Sequence, residues 1–277
     1  MKGTEMLKQS KFCLIFFLIT SLICPSFIGC GSDNDNEDNT TPPSLPPDSS
    51  LTMDLTTFGG EKMAPASQAP GKNFSNASIR VLFLDVGIVI ALLPATTVFK
   101  AAKSVEPVKQ DDGSWLWSYK TPFLGQTYEA NLTASLEPDK VVWTMKVTNP
   151  TFKTPLKNFQ WYVGESALNN SNGSWQFFDP ATPDKVTEIG SIEWTVKSLT
   201  KGEIAFSAKN PNNQIFGDKA TYSIDGTTVL VTYFDSSAKI TAEVTWDTVT
   251  TAGSLKVPDY NSGNRAYWDE NKQDIVK

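Results

Sequence analysis

From Gly113 to the C-terminus, apolar side chains recur at every second position, and this rhythm restricts the fold more than any other feature of the chain. Trp115, Trp117 and Tyr119 alternate with Leu116 and Ser118. Val141, Trp143, Met145 and Val147 alternate with Val142, Thr144 and Lys146. Ile240, Ala242, Val244 and Trp246 alternate with Thr241, Glu243 and Thr245. Similar sets centre on residues 132, 161, 176, 194, 206, 222, 231 and 256, which gives about eleven strands. A period of two buries one face of each strand and wets the other, the pattern of an antiparallel sheet.

The links between these segments are short. Pro138-Asp139, Thr200-Lys201-Gly202, Asp225-Gly226 and Ser236-Ser237 are tight-turn sequences, and Asp-Gly tolerates the positive φ that two-residue hairpins need. Short links make sequence neighbours pair, so the expected topology is a meander. A long meander must close or curl to hide its edges. The expectation is therefore a mainly β domain, an antiparallel meander forming a barrel or curved half-barrel, with a β-sandwich as the alternative.

Something has to fill the concavity. Residues 78–93 are apolar almost all round, with only Arg80 and Asp85 interrupting. A helix without a polar face is expected to be buried on most sides. Asn73 or Asn76 supplies a cap, and Pro94 ends or kinks the helix, with a short second helix over residues 95–103. Asp85 stands out, because a carboxylate isolated among apolar groups needs a partner, a hydrogen bond or a proton.

The first fifty residues follow different rules. Lys2, Lys8 and Lys11 precede an apolar run from Phe12 to Ile28 that Pro25 interrupts. That is the layout of a secretory signal rather than of a spanning helix. The run ends Phe27-Ile28-Gly29-Cys30, which resembles the bacterial lipobox, with Phe27 where Leu is usual. Cys24 is a poorer acceptor because bulky Ile23 precedes it. The resemblance implies cleavage before Cys30, acylation of its thiol and amine, and attachment to a membrane through the lipid; two acyl chains anchor where one holds only marginally. Residues 31–50, with five acidic and no basic side chains, read as a solvated acidic and Pro-rich tether. The run Asp33–Asp38 resembles the surface-export signals of Bacteroidetes-type lipoproteins, and Gly31 after the Cys is similar to lipoproteins sorted to the outer membrane. The organisation expected is a leader over 1–29, a lipidated Cys30 with tether to 50, and one β-rich domain over 51–277.

Composition excludes much chemistry. There is no His, and the three Cys all precede residue 31, so no Ser-His-Asp triad and no His or thiolate metal site is available to the domain. No metal and no cofactor is expected. Gly190-Ser191 and Gly253-Ser254 lack the surroundings of a nucleophile elbow, and no phosphate loop or dinucleotide fingerprint is present. With 24 basic against 30 acidic residues, net −6, the chain has no electrostatic footprint for nucleic acid. Glu165, Asp179 and Glu193 lie near Trp-rich strands and leave carboxylate catalysis formally open.

Eight Trp are many for this length. Trp115, Trp117, Trp143, Trp161 and Trp194, with Asp85, are candidate lining for an apolar ligand site, while the plainer reading of the Trp is core filling. At the level of architecture the domain resembles envelope lipid-binding proteins and lipoprotein carriers. That resemblance implies a non-enzymatic envelope lipoprotein binding a hydrophobic ligand or an envelope partner. The alternatives are a surface carbohydrate-binding lipoprotein and a carboxylate-dependent glycoside hydrolase.

Overall fold

A computed structural model of the chain describes residues 41–58, 69–84, 90–212 and 215–277. Cys30, the leader and Asp85 lie outside the described residues. Fourteen strands form one antiparallel sheet in which every strand pairs with its sequence neighbours: β1 (Val108–Lys109), β2 (Trp115–Phe123), β3 (Gln126–Leu136), β4 (Lys140–Asn149), β5 (Leu156–Ala167), β6 (Asn172–Phe178), β7 (Glu188–Ser198), β8 (Lys201–Ala208), β9 (Lys219–Asp225), β10 (Thr228–Asp235), β11 (Ile240–Asp247), β12 (Gly253–Lys256), β13 (Ala266–Trp268) and β14 (Asp274–Ile275).

The meander is as expected, but the count and the closure are corrected. The eleven alternating segments are β2–β12. The other three strands are two or three residues long, too short for an alternation to show. The sheet is not closed, since β1 and β14 have no pairing with each other, and all fourteen strands share it. Its two edges are two-residue strands, which offer a neighbouring chain little to pair with.

Two helices and an extended segment lie against one face. Of the helix expected over 78–93, the described residues show α1 (Lys72–Leu84), which starts earlier than expected, and α2 (Ile90–Ala101), which runs on past Pro94; residues 85–89 between them lie outside the described residues. α1 packs on β11–β14 and α2 on β2 and β3. The helix cap also differs. Asn73 and Asn76 lie inside α1, and the backbone N–H groups of Lys72 and Asn73 donate to the Asp274 carboxylate at 3.2 and 2.9 Å. A residue some two hundred positions away thus satisfies the free donors of the first turn. Pro94 neither ends nor starts a helix: α2 runs through it. One backbone hydrogen bond is lost there, while burial of Leu92, Ala95, Val98 and Phe99 holds the helix against the sheet. Nor is α1 buried all round, because Ile79 and Leu82 are 53% and 60% exposed. Its inward stripe is Phe74, Ala77, Val81 and Leu84, at the three- and four-residue spacing of one helix face. Among the described residues no helix is long and apolar enough to cross a membrane.

The extended segment was expected as tether up to residue 50. In the structure it is held to the domain from Ser44 on. Asn170 Nδ2 donates to the carbonyls of Ser44 and Leu45, Pro46 and Ser50 are buried, and Leu51 and Met53 belong to the core. From there the segment crosses to β11, where Trp246 Nε1 donates to Thr57 Oγ1 and the Phe58 ring meets Trp246 edge-on at 5.1 Å.

Candidate functional site

The expected ligand-lining Trp all belong to strands whose apolar side faces the helices. Alternation on β2 puts Trp115 and Trp117 inward, β4 does the same for Trp143, and β7 for Trp194. Trp161 needs a further device. A bulge in β5 opposite Met145 and Lys146 lets the consecutive Trp161 and Tyr162 both be buried, which a regular strand forbids. No Trp of the chain is more than 7% exposed.

These five Trp do not converge on one space. Trp117 and Trp143 pack ring to ring at 5.9 Å, Trp161 stacks on Tyr128 at 5.5 Å, Trp115 lies under the Lys109 ammonium, and Trp194 sits three strands beyond Trp143. Several indoles are tied down by hydrogen bonds. Trp143 donates to Ser166 Oγ, Trp175 to Ser50 Oγ and Trp268 to the Thr251 carbonyl. A buried indole that finds an acceptor is the usual state of a packed Trp, while the Trp115 and Trp194 indoles are buried without one.

Between the extended segment, α2 and β7–β8 lies a cavity lined by Leu51, Thr52, Met53, Leu92, Ile192, Ile204 and Phe206. Its volume is about 10 Å³, room for at most one water, against the several hundred Å³ of ligand pockets. The chain's own segment and α2 thus cover this part of the inward face. Tyr162 is the odd group there. It is fully buried, and its hydroxyl has no hydrogen-bond partner. Burial, with Tyr119 nearby, holds that phenol well above its ordinary pKa, so it stays neutral.

Glycines shape this face in a way the sequence analysis did not anticipate. A Cβ added at Gly164 would lie 2.2 Å from Trp175, and one at Gly253 2.3 Å from Trp268. At Gly173 the Trp194 ring approaches to 2.7 Å. Each ring lies across the glycine paired with it on the next strand. Strand glycines of this kind let a sheet bend and are covered by aromatic neighbours. Gly opposite Trp in a hairpin register is the signal that could have revealed them.

The outer face carries the carboxylates. Glu165, Glu193 and Glu203 border a shallow groove of about 460 Å³ with Asn172, Gly173, Ser174 and Thr195. Register explains the grouping, since Ser174 pairs with both Glu165 and Glu193 and Thr195 pairs with Glu203. Glu165 accepts from Lys140 Nζ at 2.8 Å. Asp179 is elsewhere. It caps the β6–β7 loop by accepting from the Ala181 N–H and the Thr182 hydroxyl. Among the described residues no group of three or more acidic, Cys or His side chains could hold a metal ion.

No known protein family, no curated protein and no solved structure matches the chain.

Proposed function

We propose that the protein is a bacterial envelope lipoprotein, acylated at Cys30 and held at the outer membrane, whose curved sheet is a rigid non-enzymatic platform for an envelope partner. The anchor rests on the leader and on Phe27-Ile28-Gly29-Cys30. The choice of a partner over a lipid cargo rests on one observation: the cavity enclosed between the chain's own N-terminal segment, α2 and β7–β8 holds only about 10 Å³. The outer face and the two rims of the sheet are then the surfaces left for recognition.

Expression of the full chain in a diderm bacterium with labelled palmitate tests the anchor. Wild type is expected to take up label and Cys30→Ala to lose it; label retained by the variant overturns the reading. Native mass spectrometry of the purified wild-type protein tests the cargo. The expected mass is that of the acylated chain alone, and a stoichiometric lipid released on unfolding would make the protein a carrier instead.

The outer groove favours a second reading, a carbohydrate site. Glu165 and Glu193 flank Ser174 two strand spacings apart, about 10 Å between backbones, close to the separation that inverting glycosidases use. Turnover of oligosaccharides that disappears in Glu193→Gln would support it; binding without turnover leaves a lectin-like groove.

A further inference from the structure

The two rims of the sheet differ in charge. The rim made by the turns after β3, β5, β7, β9, β11 and β13, here the lower rim, contains four turns in sequence without an ionised residue. They are Leu168-Asn-Asn-Ser171, Leu199-Thr200, Gly226-Thr227 and Thr248-Val-Thr-Thr-Ala252. Three of them carry an exposed apolar side chain, Leu168, Leu199 and Val249, with Leu199 wholly exposed. Some of the charged groups at the adjacent strand ends are held by partners. Lys201 pairs with Asp225 at 2.6 Å, and Asp247 accepts from the N–H groups of Val249 and Thr250 and from the Thr227 hydroxyl.

The upper rim also has exposed apolar residues, Leu124, Val186 and Phe216. Yet each upper loop from 150–155 to 257–265 holds at least one ionised residue, among them Lys153, Asp184 and Lys239. Taking such charges out of water is costly, so an apolar medium is met more easily by this four-turn sector than by the upper loops, although Glu137 and Asp139 on one side and Asp269, Glu270 and Lys272 on the other flank it.

The N-terminal segment runs along this same uncharged sector. Ser44 and Leu45 are held by Asn170 of the β5–β6 turn, Ser49 and Thr52 border a recess with Leu199, and Thr57 meets Trp246 of β11. Fourteen residues separate Cys30 from Ser44. A chain of that length reaches at most about 50 Å, and it joins the domain at this sector. The upper rim is a further strand length away, about 40 Å for the twelve residues of β5.

We infer that the lower rim faces the bilayer and that Leu168, Leu199 and Val249 dip into its interface beside the acyl chains of Cys30. This rests on the lipoprotein reading. The ligand is a phospholipid surface: the tips are apolar, hydroxyl- or amide-bearing and uncharged, and an interface accepts such groups while excluding charge. The anchor supplies most of the affinity, and the tips fix the orientation, leaving the upper rim and outer face free for a partner.

Introduced thiols test this directly. Once the leader is removed, Cys30 is the chain's own cysteine, and acylation blocks it. Full-length chains bearing Leu168→Cys, Leu199→Cys or Val249→Cys, with Leu124→Cys and Val186→Cys as upper-rim counterparts, are labelled with an environment-sensitive fluorophore. They are reconstituted in phosphatidylethanolamine–phosphatidylglycerol vesicles containing a nitroxide lipid, and palmitate content is measured on the same samples. The three lower positions are expected to blue-shift and to be quenched, and the two upper positions to remain as in buffer. Palmitate present with quenching at the upper positions, or at none, overturns the orientation and leaves the lipoprotein reading standing. Absence of palmitate overturns both.

Discussion

The two faces of this sheet share one backbone and obey opposite rules. The inner face carries Trp143, Trp175, Trp246 and Trp268, each at most 1% exposed, packed on two helices and on the segment from Ser44 to Phe58. The outer face carries Thr, Ser, Lys and Glu, paired where charged by exposed contacts such as Lys120–Glu129 and Lys140–Glu165. Inside, stability is set by volume and by satisfied polar atoms. Outside, solvent screens the charges and single groups contribute little. A sheet so divided can change its outer residues freely while its inner packing stays fixed.

The largest effect that can break this contrast is Trp175→Ala. The ring packs against Phe99 and Tyr162 and holds Ser50 of the extended segment. Its loss should cost about 3–5 kcal/mol in chemical denaturation; a cost near that of an outer-face substitution would mean that the inner face is loosely packed. Gly164→Ala comes next. Its methyl group would strike Trp175 and the Ser174 carbonyl, so a loss of about 1–3 kcal/mol is expected. The same substitution in the Trp175→Ala background should cost less, and a double-mutant cycle measures that coupling.

Tyr162→Phe runs the other way. Removing a buried hydroxyl without a partner should leave stability unchanged or raise it by about 1 kcal/mol. A clear loss in a thermal melt would show that the hydroxyl has found an acceptor.

At the lower rim, hydrogen bonds from Thr227 and from the Thr250 and Val249 backbone hold the Asp247 carboxyl down at about 2, against an ordinary 3.8. A depressed carboxyl contributes stability that is whole above about pH 4 and is lost as the pH falls through about 2. The side chain is well solvated, so the acid loss should be small. It should be missing in Asp247→Asn when melting temperature is followed between these two pH values. The smallest effect is expected at the outer groove, where Glu193→Gln and Glu203→Gln should each stay within about 0.5 kcal/mol of wild type. A larger loss there would show that the groove has a structural duty.

The eleven segments with several alternations were legible as strands because period two needs only a few residues to declare itself. β1, β13 and β14 were not, because two or three residues hold no period. The helical region was legible as apolar, but its bounds at Lys72 and Ala101 were not. Pro94 suggested an end, yet α2 passes through it. Arg80 has its partner in Asp259 of the β12–β13 loop, at 2.8 Å, a contact that no local spacing announces. Among the candidate site residues, Trp115, Trp117, Trp143, Trp161 and Trp194 were rightly read as facing the core side. That they are spread over the face instead of gathered round one space follows from which strands carry them.

The sequence by itself determined the antiparallel meander, the inward side of each long strand and the tight turns, because these follow from local alternation and from which residues accept positive φ. The tertiary structure alone decided that the sheet stays open, that Asp274 caps the first helix, and that residues 44–58 pack on the inward face beside two helices. Those outcomes depend on contacts between segments far apart in the chain, where shape and free hydrogen-bond donors, and not local pattern, select the partner.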